Sequence, residues 1–245
     1  MIRYWLNTQE TNPVVFQQQV KIMCDVYAEA QTNYENGIHT VSTDEMTGIQ
    51  AREEVAPRHP MRSGDVEKRE FEYKRHGTQA LIANLEVATG EVISPTVSDR
   101  RTEMDFAQHI ARTITTDPHA EWIFVVDQLN THKSETLVSL VAAECELEID
   151  LGIKGKSGIL QSMATRMAFL NDPTHRIRFV YVPKHSSWLN QIEIWFSILA
   201  RRLLKRASFT STENLKQRLL DFIAYFNQVM AKPFKWTYTG RPLQA

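Results

Sequence analysis

The sequence contains little cysteine, no excess of charge and no long apolar run. Its two cysteines, Cys24 and Cys145, lack Cys-x-x-Cys spacing and are too few for a disulfide framework, which favours a reducing compartment. Lys and Arg number 28 against 29 Asp and Glu, a net charge of −1. Without a global positive field, basic residues that bind a polyanion must be clustered.

The N-terminus lacks the apolar core of a signal peptide, and no stretch approaches the roughly 18 to 20 apolar residues of a membrane span. Internal repeats and low-complexity segments are also absent from the sequence. We therefore expect a cytoplasmic protein without a membrane partner. The 42% hydrophobic and 23% charged residues are typical of a globular protein with a real core.

The first half of the sequence predicts one helix and then a meander of strands. An N-cap at Asn12 precedes a helix ending near 36–37, with apolar residues at Val15, Ile22, Met23 and Val26. Residues 37–44 alternate with period two and predict a strand that ends at Asp44. Residues 45–76 mix charges, glycines and prolines, which favours a long irregular excursion, and 78–97 predict two strands joined at 88–90.

The second half alternates helices with strands. Apolar residues at Met104, Phe106, Ile110 and Ile114 predict a helix, and the apolar run 121–127 predicts a strand covered on both faces. A helix starting near Asn130 or Ser134, a strand over 176–183 and helices over 186–206 and 210–230 follow. The first of those last helices carries an apolar stripe of Ile192, Trp195, Phe196, Leu199 and Leu203. This order predicts α/β or α+β class with a mixed sheet.

Three carboxylates are placed where they could share a site. Asp44 and Asp127 each end a predicted strand, and Glu193 lies one turn into a helix after a third strand. Neighbouring strand ends lie roughly 4.8 Å apart, so these oxygens could bind two Mg²⁺ ions suited to phosphodiester chemistry. Each acid also has a structural alternative: a turn at Asp44, a helix cap at Asp127, and an Asn190-x-x-Glu193 capping box.

Five sequence blocks carry a resemblance to a known family. They are STDEMTGIQARE (42–53), REFEYKRHGT (69–78), VVDQLNTHKS (125–134), VPKHSSWLNQIEIWFSIL (182–199) and AKPFKWTYTGRPL (231–243). The residues in these blocks and the order of the blocks resemble the mariner-like superfamily of DDE transposases, specifically its bacterial insertion-sequence branch. The resemblance implies an α/β, ribonuclease H-like fold with a mixed five-stranded sheet flanked by helices.

The resemblance also implies the chemistry. Asp44, Asp127 and Glu193 would be both catalytic residues and ligands of two Mg²⁺ ions, with Mn²⁺ as a substitute, in DNA strand cleavage and strand transfer. Glu45 competes for the first position, but on a strand it would point to the opposite face. The implied partners are double-stranded transposon ends and target DNA, bound by a homo-oligomer in the bacterial nucleoid. The alternatives are a ribonuclease H-like nuclease without strand transfer and a decayed, non-catalytic DNA-binding protein.

Two features depart from the family pattern. The interval between the second and third acids is long, and residues 150–175 are expected to be an insertion that is either DNA-facing or structural. The segment KGKSGILQSMATR within it lacks the residue order of a nucleotide-binding P-loop. Only one helix precedes Gly37, too few for a helix-turn-helix unit. We therefore expect a linker helix (1–36), a catalytic domain (37–230) and a C-terminal tail (231–245).

Several residues are candidates for DNA contact. Arg201, Arg202, Lys205 and Arg206 share one helix face, which is either a phosphate-binding surface or simply a solvated face. Lys184 and His185 precede that helix and could reach the same DNA backbone. Trp188 is the candidate for stacking on bases, whereas Trp195 is expected in the core. His132, five residues after Asp127, either orients a phosphate or water or, as is more common for a single histidine near a helix start, is a surface or capping residue.

Overall fold

The computed structural model describes residues 13–184 and 186–238. Asn12 and His185 lie outside these described residues. The helices and strands follow one another as α1 (Pro13–Glu35), β1 (Ile38–Glu54), β2 (Tyr73–Glu86), β3 (Val92–Ser98), α2 (Glu103–Ile114), β4 (Glu121–Val126), α3 (Glu135–Glu144), α4 (Met163–Leu170), β5 (Ile177–Tyr181), α5 (Ile192–Leu199) and α6 (Thr212–Val229).

The strands form one five-stranded sheet in the order β3-β2-β1-β4-β5. β1, β2 and β3 pair antiparallel, and β4 and β5 run parallel to β1. The predicted meander, mixed five-stranded sheet and α/β class are therefore confirmed. The β2–β3 turn contains Gly90 at φ +76°, a conformation that glycine adopts without steric cost.

Helices cover both faces of the sheet. One face packs on α2, α3 and α4 through a core that includes Phe106, Phe124 and Phe179. The other face packs on α5 and α6 over β1–β3, and on α1 over β4 and β5. The interior strand β4 is consequently apolar along most of its length, because both of its faces are buried. Among the described residues, no helix is long and apolar enough to cross a membrane.

The expectation that the first strand ends at Asp44 was wrong. β1 continues to Glu54, where it still pairs with Tyr73, so the irregular excursion is confined to 55–72. The pairing shifts between Met46 and Ile49, around Gly48 at φ +65°, which marks a β-bulge in the middle of the strand. The charged, glycine-containing sequence concealed this strand, although Ile49 and Ala51 in its outer half are buried in the core.

Three helical predictions needed correction in detail. Ile22 and Met104 are 55% and 51% exposed, so the buried faces of α1 and α2 are rotated away from them. The single helix predicted over 186–206 is divided into a 3₁₀ turn (Ser187–Leu189), α5 and a π-helical turn (Ala200–Leu204). Its predicted apolar stripe, including Trp195, is nevertheless buried as expected.

Part of the segment 150–175 belongs to the core. Leu160, Phe169 and Leu170 are buried in the cluster that packs beneath β4 and β5. The preceding loop is closed so tightly that a Cβ on Gly152 would lie 2.2 Å from the carbonyl oxygen of Ser157. This segment therefore has a packing role in the structure.

Candidate active site

The first two acids lie level with each other on neighbouring strands. β1 and β4 are parallel, and their paired residues end at Ser42 opposite Val125. Asp44 and Asp127 each follow two residues after this last pair, so both acids lie at the same end of the β1–β4 pairing. Asp44 is 8% exposed, and the Asp127 side chain is 28% exposed at the end of β4.

The third acid is placed by a buried asparagine. Asn190 Nδ2 donates to the Thr43 carbonyl at 3.0 Å and lies 3.5 Å from Asp44 Oδ2. Its Oδ1 accepts from Ser42 Oγ, which itself accepts from Ile192 N at 2.9 Å. These contacts join the start of α5 to β1 and bring Glu193, in the first turn of α5, to the same end of the sheet.

Burial and neighbouring charges raise the pKa values of two of the three carboxyl groups. Burial, together with the charges of Asp127 and Glu193, raises the pKa of Asp44 to about 7. Burial and the charge of Asp127 also raise the pKa of Glu193. Mutual repulsion of this kind is relieved by a bound cation, and an all-carboxylate donor set suits a hard divalent ion. The residues present therefore fit divalent metal ions.

The carboxylates are not preassembled around one point. Within residues 13–184 and 186–238, no group of three His, Cys, Asp or Glu side chains is arranged to hold a metal ion. Asp44 Oδ1 accepts from the Glu45 backbone at 2.7 Å, and Asp127 Oδ1 accepts from the Leu129 backbone at 2.9 Å.

The structural alternatives for the acids are mostly wrong. Asp44 lies within β1 rather than at a turn. The residue preceding α5 is Gln191, which makes no side-chain cap, and Asn190 binds β1 instead of capping Glu193. Asp127 does form a local turn with Leu129, but α3 is capped by Ser134.

His132 was wrongly expected at the surface. Its side chain is fully buried, and Nδ1 lies 2.7 Å from Asp127 Oδ1. Nε2 faces Glu45 Oε1 at 3.8 Å, and Glu45 Oε2 accepts from Arg101 at 3.2 Å. Glu45 thus belongs to an ion-pair network beside the three acids. The sequence held one indication of this role, because His132 follows Asp127 at the spacing of a short turn.

The candidate DNA-contacting residues fall into two groups. Lys184 and the 54% exposed Trp188 lie in the segment that connects β5 to α5, close in sequence to Glu193. Arg201, Arg202, Lys205 and Arg206, the basic cluster, are exposed around the π-helical turn. His185 is not among the described residues.

The excursion 55–72 adds arginines that sequence reasoning missed. Arg58 donates to the carbonyl of Arg206 at 2.6 Å, and Arg69 donates to the carbonyl of Lys205 at 2.5 Å. Arg58 also forms an ion pair with Glu54 at 2.5 Å. The excursion 55–72 therefore packs against the end of the basic cluster.

Structural comparison shows the same fold in a known transposase. A crystal structure of the Mos1 mariner paired-end complex with Mn matches with a TM-score of 0.50 at 12% identity, over 92% of this chain and 59% of that one. A pre-cleavage Mos1 transpososome matches with a TM-score of 0.50 at 12% identity, over 91% and 59%. The chain thus spans 59% of the length of those proteins and has the ribonuclease H-like fold of their catalytic domain.

Sequence comparison gives the family. No curated protein matches the chain as a whole. The family described as DDE superfamily endonuclease matches residues 39–216, from the start of β1 into α6. That region contains Asp44, Asp127, Glu193 and the five strands. The chain belongs to the DDE superfamily endonuclease family.

Proposed function

We propose that this chain is a transposase catalytic domain that cleaves DNA strands and transfers them to target DNA. The observation that carries the proposal is the contact of Asn190 with Thr43 and Asp44, which ties the start of α5, and with it Glu193, to the end of β1 that carries Asp44. The family match and the fold shared with Mos1 complexes support it. Asp44, Asp127 and Glu193 are the proposed catalytic residues and metal ligands.

The proposed reaction has two displacements at phosphorus. Water attacks a phosphodiester, forming a new phosphorus–oxygen bond and releasing a 3′-hydroxyl. That hydroxyl then attacks a target phosphodiester, joining the strands and releasing a target 3′-hydroxyl. Bound at the three acids, a pair of Mg²⁺ or Mn²⁺ ions would supply an activated nucleophile and stabilise the charge of the leaving oxygen.

The protein contributes positioning and charge. The acids would hold the metal ions that bind the reacting phosphate, and their positions are set by β1, the end of β4 and the start of α5. Lys184, His185, Trp188 and the basic cluster are the proposed DNA contacts, and phosphate neutralisation would supply most of the affinity. We further propose that two chains assemble on paired transposon ends.

The test is a two-stage assay with labelled DNA and Mg²⁺ or Mn²⁺. Cleaved strands and joined products are both expected with the wild-type chain, and neither with Asp127→Asn. Cleavage without joining of precut ends would instead indicate a nuclease, and DNA binding without either product would indicate a decayed protein. Light scattering on paired ends should show at least a dimer; monomers alone would contradict the assembly.

A further inference from the structure

A buried network supports one side of the Asp127 carboxylate. His132 Nδ1 lies 2.7 Å from Asp127 Oδ1 and 3.3 Å from the Asp127 carbonyl. The Leu129 backbone donates to the same Oδ1 at 2.9 Å. Both side-chain contacts named here go to the same carboxylate oxygen, Oδ1.

The imidazole of His132 is itself held in place on several sides. Its ring packs against Phe106 at a tilt of 35° with centroids 4.1 Å apart, and its carbonyl accepts from Tyr181 Oη at 2.8 Å. Nε2 has no hydrogen-bond partner among the described residues but faces Glu45 Oε1 at 3.8 Å. Glu45 is anchored in turn by Arg101. Glu45, His132 and Arg101 form the supporting network.

We propose that His132 is a positioning residue for the metal site, holding Asp127 by Oδ1 while Glu45 and Arg101 hold the imidazole. This inference rests on the function proposed above. The proposal also assigns different roles to the adjacent acids Asp44 and Glu45 on β1. Asp44 joins the metal-binding acids, and its neighbour turns to the other face of the strand to anchor the histidine that orients the second acid.

The charge balance agrees with this arrangement. Burial alone would lower the pKa of His132, but Asp127 and Glu45 outweigh it and raise the value to about 9. Burial would likewise raise the pKa values of Asp127 and Glu45, yet their contacts with His132 lower both. Hydrogen-bonded partners of metal-binding carboxylates typically change metal affinity about 10- to 100-fold when they are removed.

The experiment measures Mn²⁺ binding to the full chain by calorimetry, beside the Mn²⁺ concentration that gives half-maximal cleavage. His132→Ala should raise both values about 10- to 100-fold. His132→Asn keeps a donor near the Nδ1 position and should restore most of the affinity. Glu45→Gln should weaken Mn²⁺ binding less than His132→Ala does and add nothing in the double variant, because Glu45 acts through His132.

A matched control lies at the other end of β1. His39 contacts Glu86 at 2.8 Å, so His39→Gln removes a histidine–glutamate pair away from the acids and should leave Mn²⁺ binding unchanged. Thermal unfolding shows whether each variant is folded; if His132→Ala is not, the comparison of His132→Asn with Glu45→Gln replaces it. The proposal is overturned if folded His132→Ala binds Mn²⁺ as the wild-type chain does. Where Glu45→Gln is used in its place, unchanged Mn²⁺ binding by folded Glu45→Gln overturns the proposal. If Asp127→Asn also binds Mn²⁺ normally, the proposed metal site itself is wrong.

Discussion

Asn190 Nδ2 lies 3.5 Å from Asp44 Oδ2, so the residue that leads into α5 touches the first acid directly. The same amide group donates to the Thr43 carbonyl at 3.0 Å. Asn190 is fully buried, so these polar contacts are shielded from water. Asn190 therefore helps to set the position of Glu193 relative to Asp44, beside the hydrogen bond from Ile192 N to Ser42 Oγ.

Asn190→Ala is expected to reduce both stability and cleavage. Loss of its buried hydrogen bonds should cost about 1 to 3 kcal/mol of unfolding free energy, measured with denaturant, because Ser42 loses a partner. The matched control is Asn84→Ala, another fully buried asparagine, which bonds Thr43 Oγ1 and Thr113. It should destabilise similarly but retain more cleavage at a temperature where both variants are folded. Equal losses of cleavage would contradict a positioning role.

Asp44→Asn should abolish cleavage without unfolding the chain. The amide is nearly the same size and removes one of three repelling charges, so metal-free thermal stability should be equal or higher. Cleavage should fall by about three orders of magnitude, about 4 kcal/mol in barrier. Asp99→Asn changes a 77% exposed acid and serves as the control. A Glu193→Gln variant with normal metal-dependent cleavage would refute the three-acid assignment.

Charge reversal in the basic cluster should weaken DNA binding uniformly across sequences. Arg201→Glu with Arg202→Glu removes two exposed cations, and each lost phosphate contact should reduce the slope of log K against log salt by about 0.9. Binding is measured by fluorescence anisotropy at several salt concentrations. The control pair, Lys216→Glu with Arg218→Glu, changes α6 instead. An unchanged salt slope would mean that the cluster is only a solvated face.

Two glycines with nearly the same backbone conformation should respond very differently to alanine. Gly37 has φ +77° and open space around it, so Gly37→Ala should cost only the strain of a left-handed residue, about 1 to 2 kcal/mol. Gly90 has φ +76°, and an added Cβ would lie 2.0 Å from the carbonyl oxygen of Lys232. Gly90→Ala should therefore lose clearly more stability in thermal unfolding. Similar losses of stability would show that residues 231–238 move aside at little cost when a Cβ is added at Gly90.

The His39–Glu86 pair predicts a pH dependence of stability. Glu86 beside the ring, with Asp117 at 3.5 Å from Nε2, raises the pKa of His39 above its ordinary value. The stabilisation is therefore complete below about pH 6.5 and is lost as the pH rises through the higher folded pKa. Glu86→Gln should flatten the unfolding free energy across that range, measured with denaturant at several pH values. Parallel profiles for both proteins would contradict the assignment.

The sequence alone determined the elements whose pattern is local. The helical stripe from Ile192 to Leu203 shows its burial through the 3.6-residue repeat of a helix. The continuous apolar run of β4 shows that both faces of this strand are buried. The sequence blocks around Asp44, Asp127 and Glu193 also indicated the family before the fold was known. The family match to residues 39–216 agrees with this prediction.

Only the tertiary structure decided what depends on partners distant in sequence. The outer half of β1 is a strand because β2 pairs with it as far as Tyr73, although its own sequence resembles a loop. His132 is buried because Phe106 and Tyr181 enclose it, and Asn190 binds β1 rather than capping its own helix because Ser42 and Thr43 lie beside it. Hydrogen bonds and packing between remote segments leave no periodic trace in sequence, so these roles appear only once the chain is folded.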